Sequence, residues 1–357
     1  MNTVRAVVAR GAGAPVGVED ISLPSPGPDE VRVRIRAAGV CHSDLSMVNG
    51  TLAPAYPLVL GHEAAGVIVD GPRAGEHVVL NWAPPCRECW FCGHGEPWLC
   101  ARSGGPSAPR GLSATGEPLH VTLGVGGLAE EVVVPSRAVI GIPSSVPFPV
   151  AALLGCAALT GVGAVRRTAR VAVGESVLVI GLGGVGLAVV VAARAAGASP
   201  VIAVDVSEAK RSLALAAGAT DYVVSDDGLS SAVRALTGGL GADHAFECVG
   251  RATTMRAAWR ATRRGGAVTV LGMGAKDDLL SLGALDIFHS AKALRSSVYG
   301  SSDPDRDVPP LAAAVAAGDL DLSPLITDLI GLDDVPAAFD RMSRGEGARS
   351  VVTFPDA

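Results

Sequence analysis

The chain has little that would commit it to a membrane, a secretory route or a nucleic acid. Its first residues, MNTVRAVVAR, hold no continuous apolar stretch followed by a small-residue cleavage site, and they alternate apolar and polar residues as a half-buried strand does. The uncharged run from Ser176 to Ala193 is interrupted by glycines, which suits a strand, a turn and a buried helix better than a membrane span. Net charge is -6, so there is no basic excess to meet phosphate backbones. Neither an internal repeat nor a low-complexity linker is evident. Cysteine is scarce, at seven in 357 residues, and a chain of this length with 49% hydrophobic residues can bury two ordinary cores without covalent staples. The absences together point to a cytoplasmic protein with reduced thiols.

Four of the seven cysteines nevertheless crowd into CRECWFCGHGEPWLC, residues 86–100. Glu, Trp, Gly and Pro lie between Cys86, Cys89, Cys92 and Cys100, so the segment is a loop folded around something rather than one regular helix. In a reducing compartment such a group binds metal or acts in catalysis. Four thiolates suit a tetrahedral zinc with no open position, and hence a structural one. An iron–sulfur cluster also takes four cysteines, and the spacing leaves it open. A second set is scattered: Cys41 in AGVCHSDL, His62 and Glu63 in LGHEAAG, and Cys156 in LLGCAALTG. Two thiolates and an imidazole are the ligand set of a catalytic zinc whose remaining position stays open. Alone, the triplet is weak evidence, since a single Cys or His is more often a core residue.

The stretch ESVLVIGLGGVGLAVVVAARAAG reads as an apolar strand ending at Ile180, a turn with Gly181, Gly183 and Gly186, and a helix rich in Ala and Val. This is G-x-G-x-x-G in the setting that gives it meaning: a tight turn, close backbone approach to a pyrophosphate, and helix–strand packing, with helix N-terminal amides facing the anion. A second strand, SPVIAVD, ends at Asp205, nineteen residues beyond Gly186, where an acid accepts from adenosine ribose hydroxyls. That acid favours NAD over NADP, and Val206 and Ser207 supply no arginine for an extra phosphate. Alternating strands and helices from Ser176 through GGAVTVLGMG support a parallel sheet.

Glycine motif, four-cysteine loop and scattered ligands, in this order and with the Gly61-His62-Glu63 sequence, resemble the zinc-dependent medium-chain alcohol dehydrogenase family from VRAVVAR to GARSVVTF. The resemblance implies an α/β chain with an interrupted catalytic domain, residues 1–157 and 300–357, built on a partly open antiparallel GroES-like barrel. Around residues 158–299 it implies a doubly wound Rossmann domain. It implies two zinc ions per chain, one structural at Cys86, Cys89, Cys92 and Cys100, the other catalytic at Cys41, His62 and Cys156 with Glu63 as an alternative ligand. Asp44 would accept from the outer nitrogen of His62, and Ser43 would bond the alcohol and pass on its proton. For NAD it implies His42 and Arg349 at the pyrophosphate, Thr160 on the nicotinamide side, Lys210 at the adenosine ribose, and backbone near Val249 and Gly272 along the cofactor cleft. Ser43, Leu52, Trp82 and Leu128 would face the substrate, with Leu128 in a roomy outer pocket and Trp82 alternatively packed under the structural lobe. The edge strand in ALRSSVYG would pair across a homodimer, within which a tetramer is also open.

Three departures qualify the resemblance. Ser46 stands where many members carry the histidine that completes a proton relay. The segment GVIVDGPRAGEHVVL is short, which reads as a trimmed surface loop. The stretch from Cys100 to Gly127 is long, as in the class that includes glutathione-dependent formaldehyde dehydrogenases, yet it offers no convincing arginine for the glutathione carboxylate. The expected function is hydride transfer between NAD(H) and a small-molecule alcohol, aldehyde or ketone. The competitors are an NADH-linked reductase of an imine or enone and a zinc-stabilised, non-catalytic binding protein.

Overall fold

The computed structural model describes residues 2–104 and 108–355. The chain forms two compact units: Met1–Leu159 with Asp303–Asp319 and Ile326–Ala357, and Thr160–Ser302 with Leu320–Leu325. Both crossings fall two to three residues later than the sequence suggests, and the segment Leu320–Leu325, expected in the first unit, belongs to the second. The reason is apolar: Leu320, Leu322 and Leu325 are buried, and the turn that carries Leu325 packs on the helices Gly184–Ala195 and Arg211–Ala216.

In the first unit, one sheet sets Leu112–Ser113, Val16–Leu23, Asn2–Ala9, Leu58–Val59 and His120–Val121 side by side. The other runs Val139–Gly141, His77–Leu80, Glu63–Ile68, Glu30–Gly39, Arg349–Thr353, Ile326–Ile330, with Glu131–Pro135 also paired to Glu30–Gly39. Pairing is mostly antiparallel, as the GroES-like half-barrel requires. The central strand shows how the sequence shapes this layer. In EVRVRIRAAG, Val33 and Ile35 are buried and Arg34 is exposed, the period-two pattern of a strand with one wet face. From Ala37 to Gly39 the residues are small and all buried, where the helix Phe148–Leu154 covers the strand.

The second unit is a parallel sheet in the order Asp221–Val224, Val201–Asp205, Val177–Ile180, Ala242–Glu247, Thr262–Val270, Ala293–Ser296. In chain order these are strands three, two, one, four, five and six, the doubly wound arrangement whose direction reverses between the first and fourth. Val177–Ile180 is wholly apolar and buried, as a central parallel strand covered on both faces must be. At the far edge, Ala293–Ser296 is exposed along its whole length. No single helix among the described residues is long and apolar enough to cross a membrane; one bent pair, Phe148–Leu154 with Ala157–Ala169, would be so by length and composition only.

The helix of the glycine motif, Gly184–Ala195, is held from behind by the helix Ala157–Gly163. They touch at Gly161, where a Cβ would stand 2.5 Å from that of Ala188 and 2.8 Å from its carbonyl carbon. Gly161→Ala is therefore expected to lower unfolding stability by about 1–3 kcal/mol through overpacking, measured by denaturant titration.

Candidate metal centres and cofactor site

Three separate pieces of the first unit converge on one point. Cys41 follows the end of the strand Glu30–Gly39; His62 and Glu63 begin the strand Glu63–Ile68; Cys156 lies between the helices Phe148–Leu154 and Ala157–Gly163. The ligand-type atoms of Cys41, His62, Glu63 and Cys156 all lie within 4.8 Å of one another. Cys41, His62 and Glu63 are buried, whereas Cys156 keeps partial exposure. Gly61 makes the approach to His62 possible: its φ is +99°, and a Cβ there would come 2.3 Å from the backbone nitrogen of Leu128.

Asp44 is fully buried in the helix His42–Val48, and its Oδ1 accepts from the Gly61 N–H at 3.0 Å and from His62 Nδ1 at 3.2 Å. This fixes the imidazole tautomer and leaves Nε2 for a metal. Burial tends to lower the His62 pKa, but Asp44 and the Cys41 thiolate outweigh it and raise it well above the ordinary value. A hydrogen bond from Cys156 holds the Cys41 thiol well below its usual range, helped against burial by Arg349 and His62, while Cys156 keeps its proton. Burial pushes the Glu63 carboxyl up to about 7, with Arg349 pulling the other way. These are the donor types a zinc ion takes, and its binding would displace the protons that His62 and Cys156 otherwise hold.

The guanidinium of Arg349, the residue expected at the cofactor pyrophosphate, lies against the Cys41, His62, Glu63 and Cys156 cluster. Arg349 is 2% exposed, with Nη2 2.9 Å from Glu63 Oε1 and Nη1 donating to the Val40 carbonyl at 3.2 Å. The other Glu63 oxygen occupies the space above Gly39, where a Cβ would lie 2.3 Å from Oε2. Neither relation is local, so no motif announces it.

On the helix His42–Val48, Ser43 and Ser46 are half-buried three residues apart, neighbours on one face, and His42 is exposed. Leu52 follows that helix, half-buried against the core. Trp82 sets its ring edge-to-face with that of His62, 6.4 Å between centroids, and its other edge lies under Gly104, where a Cβ would come within 3.3 Å. Trp82 therefore lies between the histidine and the chain leaving the four-cysteine lobe. Leu128 does not face an outer pocket: it is fully buried in the core, and its backbone N–H donates to Leu60. Of the long stretch from Cys100 to Gly127, residues 105–107 lie outside the described residues.

The sulfurs of Cys86, Cys89, Cys92 and Cys100 also gather within 4.8 Å. Cys89 and Cys100 Sγ are 3.9 Å apart. A tetrahedral ion with about 2.3 Å bonds to sulfur calls for an edge of about 3.8 Å. Backbone N–H groups of Cys86 and Arg102 point at Cys100 Sγ, and that of Cys89 at Cys86 Sγ, the donors that stabilise thiolates. A clasp with no local sequence signal closes this lobe: Arg87, at φ +64°, donates to both oxygens of Asp303 at 2.6 and 2.7 Å and also pairs with Asp305.

In the second unit, Gly181 takes φ +91°, and a Cβ at Gly186 would fall 1.8 Å from the Gly181 carbonyl oxygen. At Gly183 a Cβ would meet nothing within 4 Å, so the protein's own packing does not require glycine there, and the space above it is open. Asp205 Oδ2 accepts from the Leu182 N–H at 2.9 Å, holding the turn to the end of the second strand. Lys210 is buried with Nζ 3.5 Å from the Leu182 carbonyl, and burial lowers its pKa against the pull of Asp205. Thr160 is buried, and Val249 and Gly272 lie beside the glycine turn and the loop after the fourth strand.

Comparison with known proteins agrees with this geometry. Residues 27–144 match the family described as alcohol dehydrogenase GroES-like domain, and residues 184–317 the family described as zinc-binding dehydrogenase. The chain is 35% identical to alcohol dehydrogenase class-3 of Drosophila melanogaster, over 99% of this chain and 98% of that one. It is 34% identical to S-(hydroxymethyl)glutathione dehydrogenase of Escherichia coli O1:K1 / APEC, over 98% and 99%. An alcohol dehydrogenase zinc-binding domain protein from Burkholderia ambifaria superposes with a TM-score of 0.92 at 31% identity, covering 99% of this chain and all of that one. The chain belongs to the zinc-dependent medium-chain dehydrogenase/reductase family, whose members are alcohol-dehydrogenase-like. Both units and both clusters have the form of a zinc- and NAD-binding oxidoreductase.

Asp44→Asn should retain the fold but weaken catalytic-site zinc affinity by about 10–100-fold, because the amide can present the wrong group to His62. Chelator competition with metal analysis reads this directly, and the four-cysteine zinc serves as the internal standard.

Proposed function

We propose that the chain transfers a hydride between NAD(H) and an alcohol or the corresponding aldehyde or ketone. The observation that carries the reading is the set Cys41, His62 and Cys156, gathered within 4.8 Å, a three-ligand set that can hold a zinc while one position takes a substrate oxygen. A zinc ion there supplies Lewis acidity, lowering the pKa of an alcohol or polarising a carbonyl. Asp44 keeps His62 in the ligating tautomer, Arg349 balances Glu63, and Trp82 packs on the His62 ring. Ser43 takes up the substrate proton and Ser46 continues the path towards water. The four-cysteine lobe holds a second, structural zinc. Reduced thiols at both centres suit the cytoplasm. The partner is a second copy of the chain, docked on the edge strand Ala293–Ser296, beside which Leu285 and Phe288 are largely exposed.

The test is a substrate screen followed by absorbance of NADH, beside a metal count. Primary and secondary alcohols are run with NAD, carbonyls, imines and enones with NADH. S-(hydroxymethyl)glutathione is included because the curated relatives carry that name. The reading expects turnover with alcohols or carbonyls and two zinc ions per chain. Activity confined to imines or enones, or no turnover with a full zinc complement, would overturn it.

NAD preference should rest on Asp205, whose charge opposes an added phosphate, and on the exposed Val206 beside it. Since Asp205 also anchors the glycine turn, Asp205→Asn with Val206→Arg keeps an acceptor while removing the charge. The pair should shift the NAD/NADP ratio of kcat/KM towards NADP by at least about tenfold.

Oxidation should accelerate well above neutral pH, because a serine hydroxyl at position 46 can relay a proton but cannot hold one as imidazole does. Ser46→His should raise the rate near pH 7 and flatten the profile, by up to about a hundredfold. An unchanged profile and no response to added buffer base would remove Ser46 from the proton path.

A further inference from the structure

The reversal in a doubly wound sheet leaves a crevice at the carboxyl ends of its first and fourth strands, and ligands bind there. In this chain the two strands end in register, Ile180 opposite Glu247. Glu247 is an unusual residue for that spot, a carboxylate with no exposure at all, placed next to the glycine turn. One of its oxygens is heavily used: Oε1 accepts from Val249 N–H at 2.9 Å, Gly250 N–H at 2.8 Å and Thr254 Oγ1 at 2.7 Å. The other, Oε2, is buried with no protein partner. Burial raises the carboxyl pKa while these three bonds lower it.

The turn that Glu247 gathers is wedged between the two glycines that bound the crevice. A Cβ at Gly181 would lie 2.5 Å from Val249 Cγ2, and one at Gly272 only 2.0 Å from the Gly250 nitrogen. The backbone of Glu247 joins the same arrangement, its carbonyl accepting from Leu271 at 2.7 Å and Gly272 at 3.0 Å. The loops after the first, fourth and fifth strands are therefore tied at one residue. Val249, the outermost part of the turn, is 43% exposed, so the surface so formed is open to a ligand.

We propose that Glu247 is a positioning residue for the dinucleotide: by holding the Val249–Gly250 turn between Gly181 and Gly272 it sets the floor on which the cofactor docks. The proposal rests on the NAD-binding reading above and adds a residue that no motif assigns. Glu247 acts through the turn, by accepting hydrogen bonds, and its charge is not what the cofactor needs.

The test is NADH affinity of the zinc-loaded protein by fluorescence titration, with thermal unfolding alongside. Glu247→Ala leaves the Val249 and Gly250 N–H groups without their acceptor, while Thr254 Oγ1 keeps the Arg251 carbonyl at 2.8 Å, and should weaken NADH binding by about tenfold or more at a temperature where the protein is folded. Glu247→Gln keeps the accepting oxygen and should bind within about threefold of the parent despite a lower melting temperature. Thr254→Ala removes one donor and should fall between, so it decides the matter if Glu247→Ala does not fold. Lower melting temperatures with unchanged NADH affinity in both alanine variants would overturn the proposal, as would a glutamine variant as weak as the alanine one. If the parent protein itself binds no NADH, it is the NAD reading that fails.

Discussion

Negative charge in a dry interior has to be matched where it sits, and the Cys41, His62, Glu63 and Cys156 cluster gathers several groups that can carry it. Two thiols, the Glu63 carboxylate and the Asp44 carboxylate lie together with almost no solvent. Isolated, each would give up its charge or the fold. His62, Arg349 and backbone N–H groups supply the positive side that the protein itself can bring, and the cluster has the donors by which a divalent ion would complete it.

This requirement bears on the topology. The arginine that answers Glu63 comes from 286 residues further along the chain, on a strand laid antiparallel against Glu30–Gly39. The chain therefore leaves the first unit, builds the nucleotide-binding sheet, and returns before the charge at Glu63 is balanced. The same holds at the four-cysteine lobe, where Arg87 meets Asp303 and Asp305 at the beginning of the returning segment. Both metal clusters are finished by residues that enter the first unit only after the second has been traversed.

What was legible in the sequence divides along the same line. The glycine turn, the strand before it and Asp205 belong to one continuous stretch, and each residue type follows from a local backbone or hydrogen-bonding need. The four-cysteine loop is legible for the same reason. The scattered ligands could be read as types but their meeting could not, since Cys41, His62 and Cys156 are brought together by strand pairing and helix packing. Leu128 belongs to the core and Arg349 pairs with Glu63, and neither setting is legible because both are decided by contacts distant in sequence: the core beneath Gly61 in one case, an ion pair in the other. Leu320–Leu325 went to the wrong unit because three leucines do not say which core they fill.

The missing side chain at Gly39 has a consequence for how this site can vary. The Glu63 carboxylate fills the volume that any other residue at position 39 would claim, so a single substitution there would displace the group that Arg349 neutralises and leave a guanidinium buried without its partner. Positions 39, 63 and 349 thus form a lock in which no member can change alone. Divergence at this point of the fold must pass through simultaneous exchange of at least two of them.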